Sequence, residues 1–414
     1  MSFCLRRPYA RIAAAAWLLV SALTLASCSY VRVPGATRNP QVVQPPPVLA
    51  PGQSPTLVQP LPGTPGALPN LSGKITVGLL LPLSGPSGTL GQAMLDAAEM
   101  ALYDLAGEQL ELLTRDTKGT PDGASAAAQQ VLNQGAQIIL GPLLASEVSA
   151  VKPIAEATHA PVIAFSTDAT LAGEGTYLMG FLPSEEVARV TSYARAQGHN
   201  RFAVLAPNTP YGQVVAEAVR NAVAASGAAL SRVEFYDPAV NGVAAAVRRF
   251  AGEGSDYDAL FLPEGGSRIK ALAPQLPYFK IDPDQVKFLG TGLWDDPNIG
   301  TEPSLDGGWY AAPAPAARAS FERRFTQLYG HAPPRLATLG YDAMALAAVL
   351  ARTPQGADFS NEALTNPNGF SGLDGIFRLR PKGLVQRGLA VLQVQRGGNA
   401  IVDPAPQTFQ NLGF

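Results

Sequence analysis

Lys74-Ile75-Thr76-Val77-Gly78-Leu79-Leu80-Leu81 is a nearly unbroken aliphatic run, followed at once by Pro82-Leu83-Ser84-Gly85. An apolar run of this length without polar alternation predicts a strand covered on both faces, as in a parallel sheet. Leu95, Ala98, Leu102 and Leu105 then recur at helical spacing over 90–105, and a second strand is expected over 110–114. The alternation continues with a helix over 124–134, a strand over 137–140, a helix over 146–158 and a strand over 161–165. A second series follows: helix 185–197, strand 201–206, helix 211–226, strand 229–236, helix 243–251 and strand 259–262. Strands that alternate with helices form parallel sheets, so the predicted class is α/β with two doubly wound lobes and a multi-strand hinge. Phe181-Leu182-Pro183-Ser184 separates the series, and the Gly/Pro-rich stretch 307–315 reads as a return crossing into the first lobe.

Upstream of the folded region the chain changes character twice. Arg6, Arg7 and Arg11 precede an apolar segment from Ile12 to Leu25, too short for a permanent bilayer span, and Leu25-Ala26-Ser27-Cys28 closes it. This pattern resembles a bacterial lipoprotein signal peptide whose cleavage leaves Cys28 as the acylated first residue. Ser29 after that cysteine points to the outer membrane under the enterobacterial sorting rule. Residues 29–73 then hold eleven prolines, no acidic residue and only Arg32 and Arg38 as charges. Such a stretch cannot bury enough apolar surface to offset its ordering entropy, and as extended polyproline it reaches on the order of 100 Å. The expected organisation is 1–27 signal peptide, 28–73 lipidated cysteine and tether, 74–182 with 309–368 lobe one, and 183–308 with 369–414 lobe two.

Composition narrows the function classes. The chain has 414 residues and two cysteines; with Cys4 removed and Cys28 acylated, no thiol remains for a disulfide or a metal. Loss of three arginines takes the formal charge from −2 to about −5, so no basic surface is offered to nucleic acid. His159, His199 and His331 stand far apart. They give no local support for a zinc site or a histidine-based triad. Gly85, Gly88 and Gly91 follow the first strand as G-x-x-G-x-x-G, which is not the dinucleotide fingerprint. Ser149-Ala150-Val151-Lys152 matches S-x-x-K, but neither K-T-G nor S-D-N follows, and no G-x-S-x-G elbow or phosphate loop is present. No enzymatic activity, cofactor or metal is expected.

Several phrases in order carry a family resemblance: Ile75 to Gly85, Ile138-Ile139-Leu140-Gly141-Pro142, Pro161 to Ser166, Tyr211-Gly212, and Gly340-Tyr341-Asp342-Ala343. Together they resemble the type I periplasmic-binding-protein fold, in particular the leucine/branched-chain amino-acid receptor group. The resemblance implies a ligand cleft between lobes, at the carboxyl ends of strands, where loops and helix N-termini present free N–H groups. The expected cleft residues are Ser84, Ser146, Ser166, Thr167 and Asp168 in lobe one, and Tyr211, Glu264, Thr291 and Asp295 in lobe two. Ser146 is expected as a helix N-cap, and Tyr211 as a cover over the ligand. The group's acidic residue is missing just after Lys287-Phe288-Leu289-Gly290, where the loop reads Thr291-Gly292-Leu293-Trp294-Asp295-Asp296. Asp295, Asp296 and Glu264 are the nearby replacements. Trp294, Trp309 and Tyr310 flank a presumed crossing, where packing is favoured over ligand stacking.

The chain also resembles the outer-membrane lipoproteins that activate penicillin-binding proteins, through Val77 to Gly85, Leu90-Gly91-Gln92-Ala93 and Gly141-Pro142-Leu143. It departs from the enterobacterial members, which carry a helical-repeat domain where this chain has its tether. With anchor and tether added, the expectation is a non-enzymatic, lipid-anchored cell-envelope regulator of peptidoglycan synthesis. The alternative is a substrate-binding receptor for an ABC transporter of amino acids or other small polar solutes. The expected partners are correspondingly a peptidoglycan synthase or an ABC permease, with a small polar ligand, and the membrane only through the lipid. Labelled palmitate fed to expressing cells is expected to enter the chain, and Cys28→Ala is expected to abolish incorporation; label retained by the variant excludes Cys28 as the acylated residue.

Overall fold

The computed structural model describes residues 74–106, 109–238, 242–252, 256–354 and 356–410. The signal segment, Cys28 and the tether lie outside them. The first series is β1 (Ile75–Leu81), α1 (Gly88–Ala101), β2 (Leu110–Asp116), α2 (Pro121–Asn133), β3 (Ile138–Leu140), α3 (Ala145–Thr158), β4 (Val162–Ala164) and β5 (Thr176–Leu178). It forms a five-stranded parallel sheet in the order β2-β1-β3-β4-β5. The second series is α4 (Pro183–Ala196), β6 (Arg201–Pro207), α5 (Pro210–Ala225), β7 (Ala229–Tyr236), α6 (Gly242–Gly252), β8 (Ala259–Phe261), α7 (Gly266–Leu272), α8 (Gln275–Tyr278), β9 (Lys287–Gly290) and β10 (Trp309–Ala312). After these come α9 (Pro315–Tyr329), α10 (Ala337–Leu350), α11 (Asn361–Leu364), β11 (Phe370–Gly372), β12 (Gly375–Leu379), β13 (Val385–Arg387), β14 (Ala390–Gln395) and β15 (Gly398–Asp403).

The second sheet runs β15-β14-β10-β9-β8-β6-β7, and its β14 and β15 are antiparallel to their neighbours. Each sheet is clothed on both faces, which explains the aliphatic runs. In β1, Val77, Leu79 and Leu81 enter one cluster with α1 and α10, while Leu80 enters another with α2 and α3. Gly78 is small because a Cβ there would lie 2.8 Å from a Val131 methyl on α2. The same start signal opens a helix in each lobe: Thr120 and Thr209 accept from the N–H of Gly123 and Gly212, each at 3.1 Å, with proline at the first helical position.

Strand pairing places two segments differently from the sequence-based division. Trp309 to Ala312 is a strand of the second sheet, not the start of lobe one: Trp309 and Ala311 face one cluster, Tyr310 and Ala312 the other. Its flanking Gly307-Gly308 and Pro313-Ala314-Pro315 gave the stretch its loop-like composition. Residues 370–387 form a small antiparallel sheet, β11-β12-β13, whose Phe370, Phe377, Leu379 and Val385 pack into the first lobe's core. The chain therefore passes between sheets near 181–183, 313–314 and 388–389. Trp294 and Tyr310 are fully buried and Trp309 lies edge-on to Tyr193 at 4.9 Å, so these rings pack.

In the first lobe α1 and α10 approach each other closely, and a Cβ on Gly340 would stand 2.2 Å from the Met94 carbonyl oxygen. Gly340→Ala is expected to lower stability by about 1–3 kcal/mol, the cost of overpacking outweighing the roughly 1 kcal/mol helix-propensity gain. Gly252→Ala, with open space around it, is expected to leave the denaturation midpoint unchanged or raised. Equal behaviour of the two variants in urea unfolding contradicts this account of the helix contact.

Candidate functional site

The loops after the strands meet between the lobes, and a cavity of about 400 Å³ opens there. Phe165, Thr167, Phe181, Arg335 and Leu336 supply the first-lobe side; Glu186, Tyr211, Leu293 and Asp295 supply the other. A second cavity of about 620 Å³ lies against the second lobe alone, at the ends of β6 and β8, with Thr209, Glu264 and Arg268 in its wall. Tyr211 and Leu293 line both. The half-buried Tyr211 stands in the first turn of α5 and its hydroxyl meets Thr291 Oγ1 at 2.8 Å. Burial raises its pKa, so the phenol stays protonated.

The expected residues divide accordingly. Thr167, Tyr211 and Asp295 line the interlobe cavity and Glu264 lines the neighbouring one. Thr291 is fully buried behind Tyr211 and starts a 3₁₀ turn over Gly292–Trp294. The remaining first-lobe residues serve their own loops. Exposed Ser84 donates to Asp116 Oδ2 at 2.7 Å. Ser166 Oγ accepts from the Asp168 N–H at 3.1 Å, and Asp168 Oδ1 accepts from the Thr170 N–H and hydroxyl. Ser146 is exposed and is not the N-cap of α3; that position is Leu144, whose N–H is taken by buried Glu147 at 3.0 Å. Short polar residues just after a strand are recruited first by the turn's own unpaired backbone groups.

Charged side chains that sequence reading passed over gather behind the cleft. Arg335 ion-pairs with Asp295 at 3.1 Å and Asp374 at 3.0 Å, and its guanidinium lies 4.3 Å from the centroid of the Phe181 ring. Arg387, buried, lies 4.7 Å from the same ring and donates to the Met179 carbonyl at 2.6 Å. Asp342 accepts from the Leu373 N–H at 2.8 Å. Burial, then the neighbouring Asp374 charge, pushes its carboxyl up to about 7. Asp374 is equally buried, but Arg335 and Arg387 outweigh the desolvation and hold it ionised.

Glu186 is the other unforeseen group. It sits in the first turn of α4 directly after a crossing, and its Oε2 accepts from the Gly292 N–H at 2.8 Å. It thus reaches the loop that lacks the expected acid. Burial pushes its carboxyl up to about 8, against the Gly292 hydrogen bond and the arginine charges. Nothing in Ser184-Glu185-Glu186 distinguishes it from Glu185, because two acids in a helix's first turn read equally as dipole complements.

The model of a family described as periplasmic binding proteins matches residues 74–399. The chain belongs to the periplasmic binding protein family. Among solved structures, this binding protein resembles an ABC transporter substrate-binding protein from Sphaerobacter thermophilus, with TM-score 0.67 and 23% identity, covering 82% of this chain and 100% of that one. It also resembles a branched chain amino acid ABC transporter periplasmic ligand-binding protein from Burkholderia xenovorans, with TM-score 0.66 and 17% identity, covering 81% and 97%. These likenesses establish the two-lobed fold. Uncharacterized protein RP748 of Rickettsia prowazekii is 24% identical over 217 residues, spanning 50% of this binding protein and 58% of that protein's length.

The elevated Glu186 carboxyl makes stability depend on pH. Between the ordinary glutamate value of 4.5 and about 8, the unfolded chain has released this proton and the folded chain retains it. Folding stability therefore falls as pH rises through this window, by up to about 1.4 kcal/mol per pH unit, and levels off above it. Glu186→Gln, which keeps an acceptor for the Gly292 N–H, is expected to flatten part of this slope and to gain on the wild type as pH rises. Urea unfolding from pH 5 to 9 checks this; parallel curves for the two proteins exclude the assignment.

Proposed function

We propose that this binding protein is a solute receptor of an ABC permease on the periplasmic side of the cell envelope, closing its lobes on a small polar ligand. The observation that carries this reading is the cavity of about 400 Å³ built jointly by both lobes, with apolar walls and a few charged or hydroxyl groups converging on it. This is the composition of a small-molecule site, in which apolar walls supply affinity and a few polar groups fix orientation. The family match and the transport proteins among the structural neighbours support the same reading. They favour it over the peptidoglycan-synthase activator, an expectation that rested on the phrases Val77 to Gly85, Leu90 to Ala93 and Gly141 to Leu143, on the acid missing after β9, and on an anchor and tether outside the described residues. Lipidation at Cys28 remains part of the proposal, the tether giving the lobes reach toward a membrane partner.

The lobes of the proposal follow the strand pairing: 74–181 with 315–387, and 183–312 with 389–410. The ligand-contacting set is Thr167, Tyr211 and Glu186, with Phe165, Phe181 and Leu336 as its apolar floor. A thermal-shift and calorimetric screen of amino acids, amides, short peptides and small organic acids is expected to find a stabilising class. A ligand at 100 times its Kd raises stability by about 2.7 kcal/mol. Absence of any stabilisation across the screen, together with recovery of a peptidoglycan synthase in pull-downs, overturns the receptor reading.

A further inference from the structure

Away from the cleft, a groove of about 450 Å³ lies between the end of α1 and the end of α9, walled by Met100, Tyr103, Leu328 and Tyr329 with the polar Glu99 and Gln327 among them. Tyr103 is 89% and Leu328 64% exposed, and two large apolar side chains bordering one groove mark an interaction surface. The walls are set in advance. The chain leaves α1 through a π-helical turn, Leu102–Ala106, whose Asp104 accepts from Arg324 of α9 at 2.7 and 2.8 Å and from the Tyr341 hydroxyl at 2.9 Å. The Tyr329 hydroxyl donates to the Asp96 carbonyl at 3.0 Å, tying α9 to α1 a second time. A groove held open in this way suits an occupant that is itself stiff.

The chain carries such a segment next to it in sequence. β1 and β2 pair in parallel with Ile75 opposite Leu110, so α1, which links them, returns to the edge of the sheet where β1 begins. The tether enters β1 at Lys74, on that same edge. Its last part, Pro60-Leu61-Pro62-Gly63-Thr64-Pro65-Gly66-Ala67-Leu68-Pro69, has no charged residue to desolvate. Polyproline II repeats every three residues, which aligns Pro62, Pro65 and Leu68 on one face. The stretch from Leu68 to Lys74 spans about 19 Å when extended, twice the roughly 10 Å between packed layers. We propose that Pro60 to Pro69 of the tether docks as polyproline in this groove of its own chain, with Pro62, Pro65 and Leu68 against Tyr103, Leu328 and Tyr329. Aromatic-walled grooves favour polyproline because its conformation is already restricted and little entropy is lost on binding. Docking leaves 29–59 as the free spacer and fixes which face of the first lobe the spacer leaves from. The proposal stands independently of what the cleft binds.

Limited digestion of the full chain with elastase, which cuts after small apolar residues, tests this. The bond after Ala67 lies in the docking segment and the bond after Val48 lies upstream of it, so each molecule carries its own control. Cleavage after Ala67 is expected to be roughly tenfold faster in a Tyr103→Ser, Leu328→Ser variant than in the wild type, since cleavage follows the population of the open form. Cleavage after Val48 is expected to be the same in both. The two substituted side chains are exposed, so the fold does not rest on them. Pro62→Ser with Pro65→Ser is expected to speed cleavage after Ala67 when the groove is intact and to add nothing in the groove variant. Equal rates after Ala67 in the wild type and the groove variant overturn the proposal, as does an equal effect of the proline substitutions in both backgrounds. Protection that persists on dilution supports docking within one chain; protection lost on dilution means that the tether of a second copy fills the groove, and overturns it.

Discussion

Asp295 extends from the second lobe and is gripped by two arginines of the first, Arg318 on α9 at 3.0 Å and Arg335 just before α10 at 3.1 Å. Its side chain is 7% exposed and that of Arg318 is 11% exposed, so water does little to screen the group. A buried carboxylate in this position requires its cations: removing one partner of a buried pair typically costs about 3–5 kcal/mol, because a charge is left uncompensated. The relative placement of the lobes is therefore constrained electrostatically as well as by the three chain crossings. The width of the cavity between them follows from that constraint.

The clasp is braced from behind. Arg335 also pairs with Asp374 in the turn between β11 and β12, and Asp374 faces Asp342 on α10 and Arg387 at the end of β13. Phe181 lies against the guanidinium groups of both Arg335 and Arg387. Phe181 belongs to the first crossing and Arg387 immediately precedes the third. One aromatic ring thus links segments about 200 positions apart in sequence, and each guanidinium gains a cation–π contact where it has lost solvent. Within this group Asp374 wins the competition for the arginine charges, which is why Asp342 keeps its proton to about 7.

The alternation of strand and helix was legible because β1, β3 and β4 are covered on both faces, and their aliphatic runs cannot be mistaken for half-exposed strands. The small sheet β11-β12-β13 left no such run: its strands are short, with polar residues such as Ser371, Arg378 and Gln386 between the apolar ones. The same limit applied to β10, whose four residues are flanked by glycine and proline. Loop polarity identified the right end of the sheets, and of the residues expected there Thr167, Tyr211 and Asp295 line the interlobe cavity. Ser84, Ser146 and Asp168 answer local backbone needs or face solvent, whereas Glu186, Arg335 and Arg387 are brought together by long-range packing that no local window contains.

The clasp also limits what a ligand can contribute. A ligand shifts a conformational equilibrium only through contacts that differ between the two states. With the lobes bridged by Asp295 and its arginines, that ion pair contributes to closure whether or not a ligand is present. The ligand's own share must come from groups the clasp leaves unspent. Arg335 has little left to offer, since its donors are engaged by Asp295, Asp374 and Thr338 and its face by Phe181. What remains at the cavity is the Thr167 and Tyr211 hydroxyls, the apolar surface of Phe165, Phe181 and Leu336, and the Glu186 carboxyl. Of these, Glu186 alone changes charge near physiological pH.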